Sequence, residues 1–552
     1  MALQFFSLSS SLVSPCILFR FSSFILPPGQ TISFPAETID VAVQEHSVSS
    51  SDDERLPEFG TAERTSAERR LTWRLDMRLL PTIFVIFVMN YIDRNGITTA
   101  RLKGMEADLG ITDIQYDTVI AILFVTYCPL QIPSNMILNY VSRPSWYIGG
   151  CVVAWGLVST MTGITQDFGG IMACRVFLGI PESAFYCGCM YFLSRWYTRK
   201  ELALRSAILY SGLMISNAFG SLIAAGILSN MEGVRGIRAW RWLFFIEVRP
   251  ITMTIGLCAI YLLPDYPAHS RSLTACEHAW LSSFDRRLAQ ARLAEDAGEA
   301  DQDNPEDSPL KGLYLAVKDP KVPIMAVMNL SQLLGLSFVN FFPTAPRVPQ
   351  PNSTLGYSTT LTLLLAAPPW IFASIVCCVG AWHADRTGER FFHVAGWWWV
   401  TIVGFIIALS TMSTAGRYVS LFLMAVGYSG FAMTLVWVSN ATPRPPAKRA
   451  AAMGIVNGCG NLGNLIGAYT WKTAWGPAYH QSMAISLAAL VLSTVLAFVI
   501  RQMLIHDNKK LEEGEKCLMK DADRARVEEA ARIEGISFEE AMAKRSGFRY
   551  LY

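Results

Sequence analysis

Apolar blocks alternate with short polar punctuation along most of the chain. They run over 79–100, 114–139, 146–165, 169–193, 203–229 and 240–263, and again over 322–345, 355–382, 391–411, 418–440, 450–473 and 480–504. Each has the length, about 20 residues, that carries a helix across the ~30 Å hydrocarbon core of a bilayer. Lipid offers the backbone no hydrogen-bond partner, so blocks of this kind are expected as helices that satisfy themselves. The blocks divide as six, a charged connector over 264–320, and six more. That connector holds "FDRRLAQARLAEDAGEADQDNPED" and reads as a polar, partly helical linker with no apolar face worth burying.

The pattern predicts an all-α membrane protein with twelve transmembrane helices in two six-helix halves. The expected domains are a largely disordered cytoplasmic segment 1–70, an N-terminal half 71–263, the connector 264–320, a C-terminal half 321–505 and a cytoplasmic tail 506–552. Paired six-helix halves are a transporter architecture, with substrate held between them near the membrane midplane. A scaffold or anchor has little need of so many spans.

Composition narrows the class further. The chain is 52% hydrophobic and 16% charged, with a mean hydropathy of +0.32, too apolar for a soluble enzyme. A net charge of +2 with no dominant basic stripe argues against a nucleic-acid partner. The 12 cysteines mostly lie singly in apolar blocks, and Cys187/Cys189 and Cys377/Cys378 lack neighbours at zinc spacing. They read as packing residues, and no metal or other cofactor is expected.

Lys and Arg set the orientation. Arg64, Arg69, Arg70, Arg74 and Arg78 precede the first block; Arg195, Arg199, Lys200 and Arg205 follow the fourth. Arg386 and Arg390 follow the eighth, and Arg444, Lys448 and Arg449 the tenth. Alternating helices put all of these on one side, the cytoplasm, with both termini inside. "GVRGIRAWRW" before the sixth block is a basic exception on the outside. Residues 1–26, "MALQFFSLSSSLVSPCILFRFSSFIL", have no basic residue ahead of the apolar part and carry Arg20 within it. They read as neither signal peptide nor thirteenth span, but as a disordered tail or a misplaced coding start.

Between the eighth and ninth blocks stands "GAWHADRTGER", Gly380 to Arg390, a G-x-x-x-A-D-R-x-G-x-R pattern. Its Asp385 suits helix-terminal N–H groups, and Arg386 and Arg390 suit latching of adjacent helices. Gly380 and Gly388 complete the pattern. This loop resembles the loop motif of the major facilitator superfamily. The matching loop of the first half, "NYVSRPSW" (Asn139–Trp146), has lost the acid. Asp385 lies 243 residues after Ser142, and the seventh block starts 243 after the first, the trace of a duplicated half.

More specific text points to one branch. "RLDMRLLP" (Arg74–Pro81), "NYIDRNGI" (Asn90–Ile97), "QIPSNMIL" (Gln131–Leu138), "RVFLGIPESAFYCG" (Arg175–Gly188) and "WRWLFFIE" (Trp240–Glu247) lie in the first half. "NFFPT" (Asn340–Thr344), "LGYSTTLTLLLAAPPWIFA" (Leu355–Ala373), "PRPPAKRAA" (Pro443–Ala451) and "GFRY" (Gly547–Tyr550) follow in the second. In order and spacing they resemble the anion:cation symporter family, within it the fungal allantoate-permease-like group, over about residues 70–550. Two departures stand out. A Pro-rich insert of about six residues precedes "LGYS", as a retained intron would leave, and Val248-Arg249 replaces the usual Gly and apolar residue.

Asp93 and Arg94 sit inside the first block. Ionisable residues in a span are expensive and mark a substrate or ion path. Adjacent residues lie ~100° apart on a helix, so the two have separate neighbours. Glu182 follows Pro181 in mid-block, and Arg175 stands two turns earlier on the same face. By the resemblance, Asp93 and Glu182 take the coupling protons and Arg94 meets the substrate's anionic group. An ionised Asp93 partly neutralises Arg94, and protonation frees it. Tyr91, Asn217, Asn340 and Asn461 are candidates to finish the site, with Asn457 and Asn464 beside the last. "NGCGNLGNLIG" reads as close helix packing, since no Lys-Ser/Thr follows.

The expected function is import of a small organic anion by proton symport and alternating access. Its partners would be the anion, protons and the lipid bilayer, and the protein a monomer of the plasma membrane. No Walker motif suggests nucleotide use. A drug/proton exporter of the same fold and a non-transporting nutrient sensor are the alternatives. A membrane-embedded enzyme would need a nucleophile or metal cluster that the sequence lacks.

Overall fold

The computed structural model describes residues 56–552, except 102–103, 247–248, 268–280, 298–302, 304–307, 341–358, 412, 472–474, 476–477, 515–526, 530, 533–536 and 539–547. The segment 1–26, the Pro-rich insert and Val248 therefore lie outside the described residues. The described secondary structure is helical, without strands. Eight helices are long and apolar enough to cross a membrane by length and composition. Helical segments also occupy the other four expected places, at Pro144–Thr162, Ala239–Ile246 with Arg249–Leu262, Lys321–Gly335 with Ser337–Asn340, and Pro446–Thr470. Polar and glycine-rich text, as in Pro446–Thr470, dilutes the hydropathy of spans that pack against protein. Glu54–Tyr552 form a single compact unit.

Local signals explain where helices begin and bend. The second span, Asp113–Tyr140, starts on a reciprocal cap: Gln115 N–H donates to Thr112 Oγ1 and Thr112 N–H to Gln115 Oε1. The fourth span opens with Asp167 accepting from Gly170 N–H at 2.7 Å. It breaks after Glu182 and resumes as Tyr186–Ser194. Pro181 cannot donate to the preceding turn, which places that break at the acid. Val125, Phe177, Ile375, Val403, Val495 and Phe498 are exposed apolar side chains on five different spans, the belt expected to face lipid.

The second and eleventh spans cross closely, tying the two halves together. A Cβ on Gly458 would lie 2.6 Å from Cys128 O, so only glycine permits this approach. Where the fourth and fifth spans meet the tenth, rings pack across the halves, Tyr186 on Phe431 (5.8 Å) and Phe431 beside Tyr210 (5.1 Å). The run continues within each half, from Tyr186 to Phe87 of the first span (5.3 Å) and from Tyr428 edge-on to Trp370 of the eighth (5.3 Å).

One correction concerns the connector. Its helix Ser283–Ala297 does have an apolar face: Leu288, Ala289, Ala291 and Ala294 are fully buried. The face is built from alanine and two leucines among charges, too weak to register as amphipathic but sufficient once the charges find partners. Arg74 reaches Asp285 (2.7 Å), Arg64 reaches Glu295 (3.0 Å), Arg199 reaches Asp296 (3.1 Å) and Arg292 reaches Glu201 (2.6 Å). The C-terminal residues Phe548–Tyr552 lie on this same connector face, where Tyr550 exchanges two backbone hydrogen bonds with the Asn508 amide (2.8 and 3.0 Å).

Candidate functional site

The first and fourth spans bring Arg94 to Glu182. Arg94 Nε donates to Glu182 Oε1 at 2.9 Å, and Asn90 Nδ2, one turn earlier on the same face, donates to the same oxygen at 2.9 Å. Glu182 is 2% exposed, so this pair is shielded from water. The guanidinium sits in an aromatic box, 4.6 Å from the Tyr127 ring centroid, 5.2 Å from Tyr91 and 5.9 Å from Phe124. Ring faces carry negative potential and hold a cation while offering no competing carboxylate. Tyr91 is itself held edge-on by Phe87 at 5.0 Å.

Asp93 is buried next to Arg94 on the first span. Glu182 makes an ion pair with Arg94 Nε at 2.9 Å. Arg175 is buried seven residues before Glu182, near enough for the charges of Glu182 and Arg94 to act on it. Asn217 is half-buried on the fifth span, and the side chain of Asn340 lies outside the described residues.

Asn461 belongs to a second polar group. It donates to Asn457 O (2.8 Å) and accepts from Asn464 (3.2 Å), while Asn457 donates to Gln131 across the halves (2.7 Å). Sequence reasoning missed Asn90, Tyr127, Phe124 and Gln131. Asn90 was readable: it stands at i−4 from Arg94, the spacing at which side chains share a helix face.

The loop motif forms a clamp at the connector face. Asp385 accepts from the N–H groups of Ala203 (3.1 Å) and Leu204 (2.8 Å), capping the fifth span, Leu202–Asn230, from the opposite half. Arg390 is fully buried and holds the acid at 3.3 Å while donating to Arg199 O at 2.7 Å. Gly388 turns the chain with φ +71°, and a Cβ on Gly380 would press into Trp397 at 2.8 Å. Arg386 instead points outward, stacked over Trp382 at 4.5 Å.

Residues 83–468 match the Major Facilitator Superfamily. The chain belongs to that superfamily. It is a membrane transporter, not an enzyme, and its relatives are transporters. The MFS-type transporter cnsO of Penicillium expansum is 31% identical over 464 residues, 81% of this chain and 86% of that one. A putative tartrate transporter of Agrobacterium vitis is 28% identical over 446 residues, 78% of this chain and 92% of that one. Among solved structures, the proton:xylose symporter XylE superposes with a TM-score of 0.58 at 12% identity, covering 77% of this chain and 96% of that one. That likeness concerns the fold.

Proposed function

We propose that this transporter imports a small organic anion with protons by alternating access. Arg94 is the anion receptor, and Glu182 and Asp93 load the coupling protons. The observation that carries the reading is the shielded Arg94–Glu182 pair at 2.9 Å. A substrate carboxylate and Glu182 compete for the same guanidinium, whose planar fork matches either. Protonating Glu182 removes its claim on Arg94, so proton and anion enter together. Arg cannot deprotonate and stays a fixed receptor.

Arg175 favours the ionised form of Glu182, so it helps the proton leave once the anion has been released. Tyr91 walls the anion site, and Asn217, Asn340 and Asn461 serve its neutral polar part. The putative tartrate transporters of Agrobacterium vitis support a carboxylate substrate. Together with the motifs from Arg74 to Tyr550, they favour the anion:cation symporter family and its allantoate-permease-like branch. The basic loops favour a cytoplasmic connector face in the plasma membrane. An uptake panel of radiolabelled ureido acids, nicotinate, pantothenate, biotin and dicarboxylates in permease-deficient yeast tests the proposal. One anion should accumulate faster at acid than at neutral pH and stop with a protonophore. Uptake of neutral compounds alone, or efflux alone, would refute it.

A further inference from the structure

The loop between the second and third spans has lost its motif acid, yet the helix end that such an acid would cap is not left bare. Asp385 caps the fifth span through Leu204 N–H at 2.8 Å. The internal offset of 243 residues carries Leu204 onto Ala447, at the start of the eleventh span Pro446–Thr470. Ala447 N–H donates to Asp303 Oδ1 at 2.9 Å. Asp303 is a connector residue, outside both halves' loop motifs. Its other oxygen accepts from Asn139 Nδ2 at 2.8 Å, on the last turn of the second span. Asn139 is buried and engaged in turn by the Tyr191 hydroxyl, as Asp385 is held by Arg390.

We infer that Asp303 is the acid of the first-half clamp, supplied by the connector in place of the one missing at Ser142. It is a positioning residue. Its carboxylate joins the second span of one half to the eleventh of the other, mirroring Asp385, which joins the eighth to the fifth. The two clamps lie at one face, so parting the halves there breaks both. In this transporter the connector is thus a component of the gate, and its placement sets how readily that face opens. The inference extends the alternating-access reading, and its test needs no substrate.

The probe is a native thiol. Cys187 is buried where Asn135 links it (3.0 Å) to Ala450 O on the eleventh span (3.1 Å), just beneath the Asp303 clamp. Cys189, about 200° further round the helix, is also buried. The full chain in permeabilised membranes is treated with N-ethylmaleimide, and each site is read by peptide mass spectrometry. Losing a charge-assisted hydrogen bond at a helix end predicts Cys187 labelling about five- to tenfold faster in Asp303→Ala, with Cys189 unchanged. Adding Ser142→Asp to Asp303→Ala should return Cys187 to within about twofold of wild type, because the acid is restored in its loop. Unchanged Cys187 labelling in Asp303→Ala overturns the assignment. So does a gain that Ser142→Asp leaves in place, or equal acceleration at Cys189, which would make Asp303 a residue of the fold alone.

Discussion

Replacing Glu182 by Gln separates anion binding from proton coupling. The substitution keeps the shape and an acceptor oxygen for Asn90 and Arg94 but removes the charge. In the native pair one charge-assisted bond of 2.9 Å must yield before a substrate carboxylate can take its place. Such a bond contributes roughly 1.5–3 kcal/mol against about 1 kcal/mol for a neutral one, so the competitor weakens by roughly 0.5–2 kcal/mol. That corresponds to about two- to thirtyfold tighter anion binding at neutral pH. Binding of the radiolabelled anion identified by uptake, measured on purified protein across a pH series, should become tighter and lose its pH dependence. Accumulation driven by a pH gradient should vanish while exchange persists. Wild-type accumulation, or binding that weakens as though a ligand-contacting group had been lost, would refute the competition between Glu182 and substrate.

Three further outcomes follow from the geometry. Arg94→Lys keeps the charge but loses the fork, so anion affinity should fall about ten- to a hundredfold in the same binding assay, whereas Asp93→Asn retains binding and loses accumulation. Asp319, outside the spans, is pushed up by burial, but Lys448 at 2.7 Å and Lys321 at 3.4 Å outweigh this and hold it below its ordinary value. Its stabilisation is therefore complete above the unfolded value and lost as pH falls through the folded one, so Asp319→Asn should lower the melting temperature near pH 7, with the gap closing below about pH 4. Asn352, in a sequon expected outside the cell, lies outside the described residues; Asn440, fully buried, should carry no sugar, and its modification on a gel-shift assay would contradict the orientation.

Much of the fold was legible because lipid imposes a simple rule: an apolar block of span length becomes a helix wherever it occurs. The charges within the blocks were legible for the same reason, since Asp93, Arg94, Arg175 and Glu182 stand out against their surroundings. What could not be read is which charge meets which. Arg94 has an adjacent acid in the chain, and nothing in the spacing announces its ion pair with Glu182, 88 residues away. Aromatic walls such as Tyr127 look like ordinary span residues until the packing is known. The connector was misread because alanines supply most of its buried face, and because the ionic partners that make burial tolerable come from remote segments. Asp303 stands in an acidic run that reads as solvated, and only Ala447 and Asn139 give it a place.

The stacked rings between the halves have a mechanical consequence. From Phe87 through Tyr186, Phe431 and Tyr210 towards Tyr428 and Trp370, the contact is made by flat faces and edges. Ring pairs favour several offset arrangements of similar energy, each worth about 0.5–1.5 kcal/mol. Such a seam resists separation yet gives way gradually to sideways slip, as a lubricated bearing does. The carboxylate clamps are directional and fail all at once. In the proposed alternating-access cycle, friction should therefore be low along the seam, with the barrier concentrated in a few polar bonds at one end. Bulk added to the seam, as by Ala432→Leu among its fully buried neighbours, should slow every turnover step alike, without favouring either face.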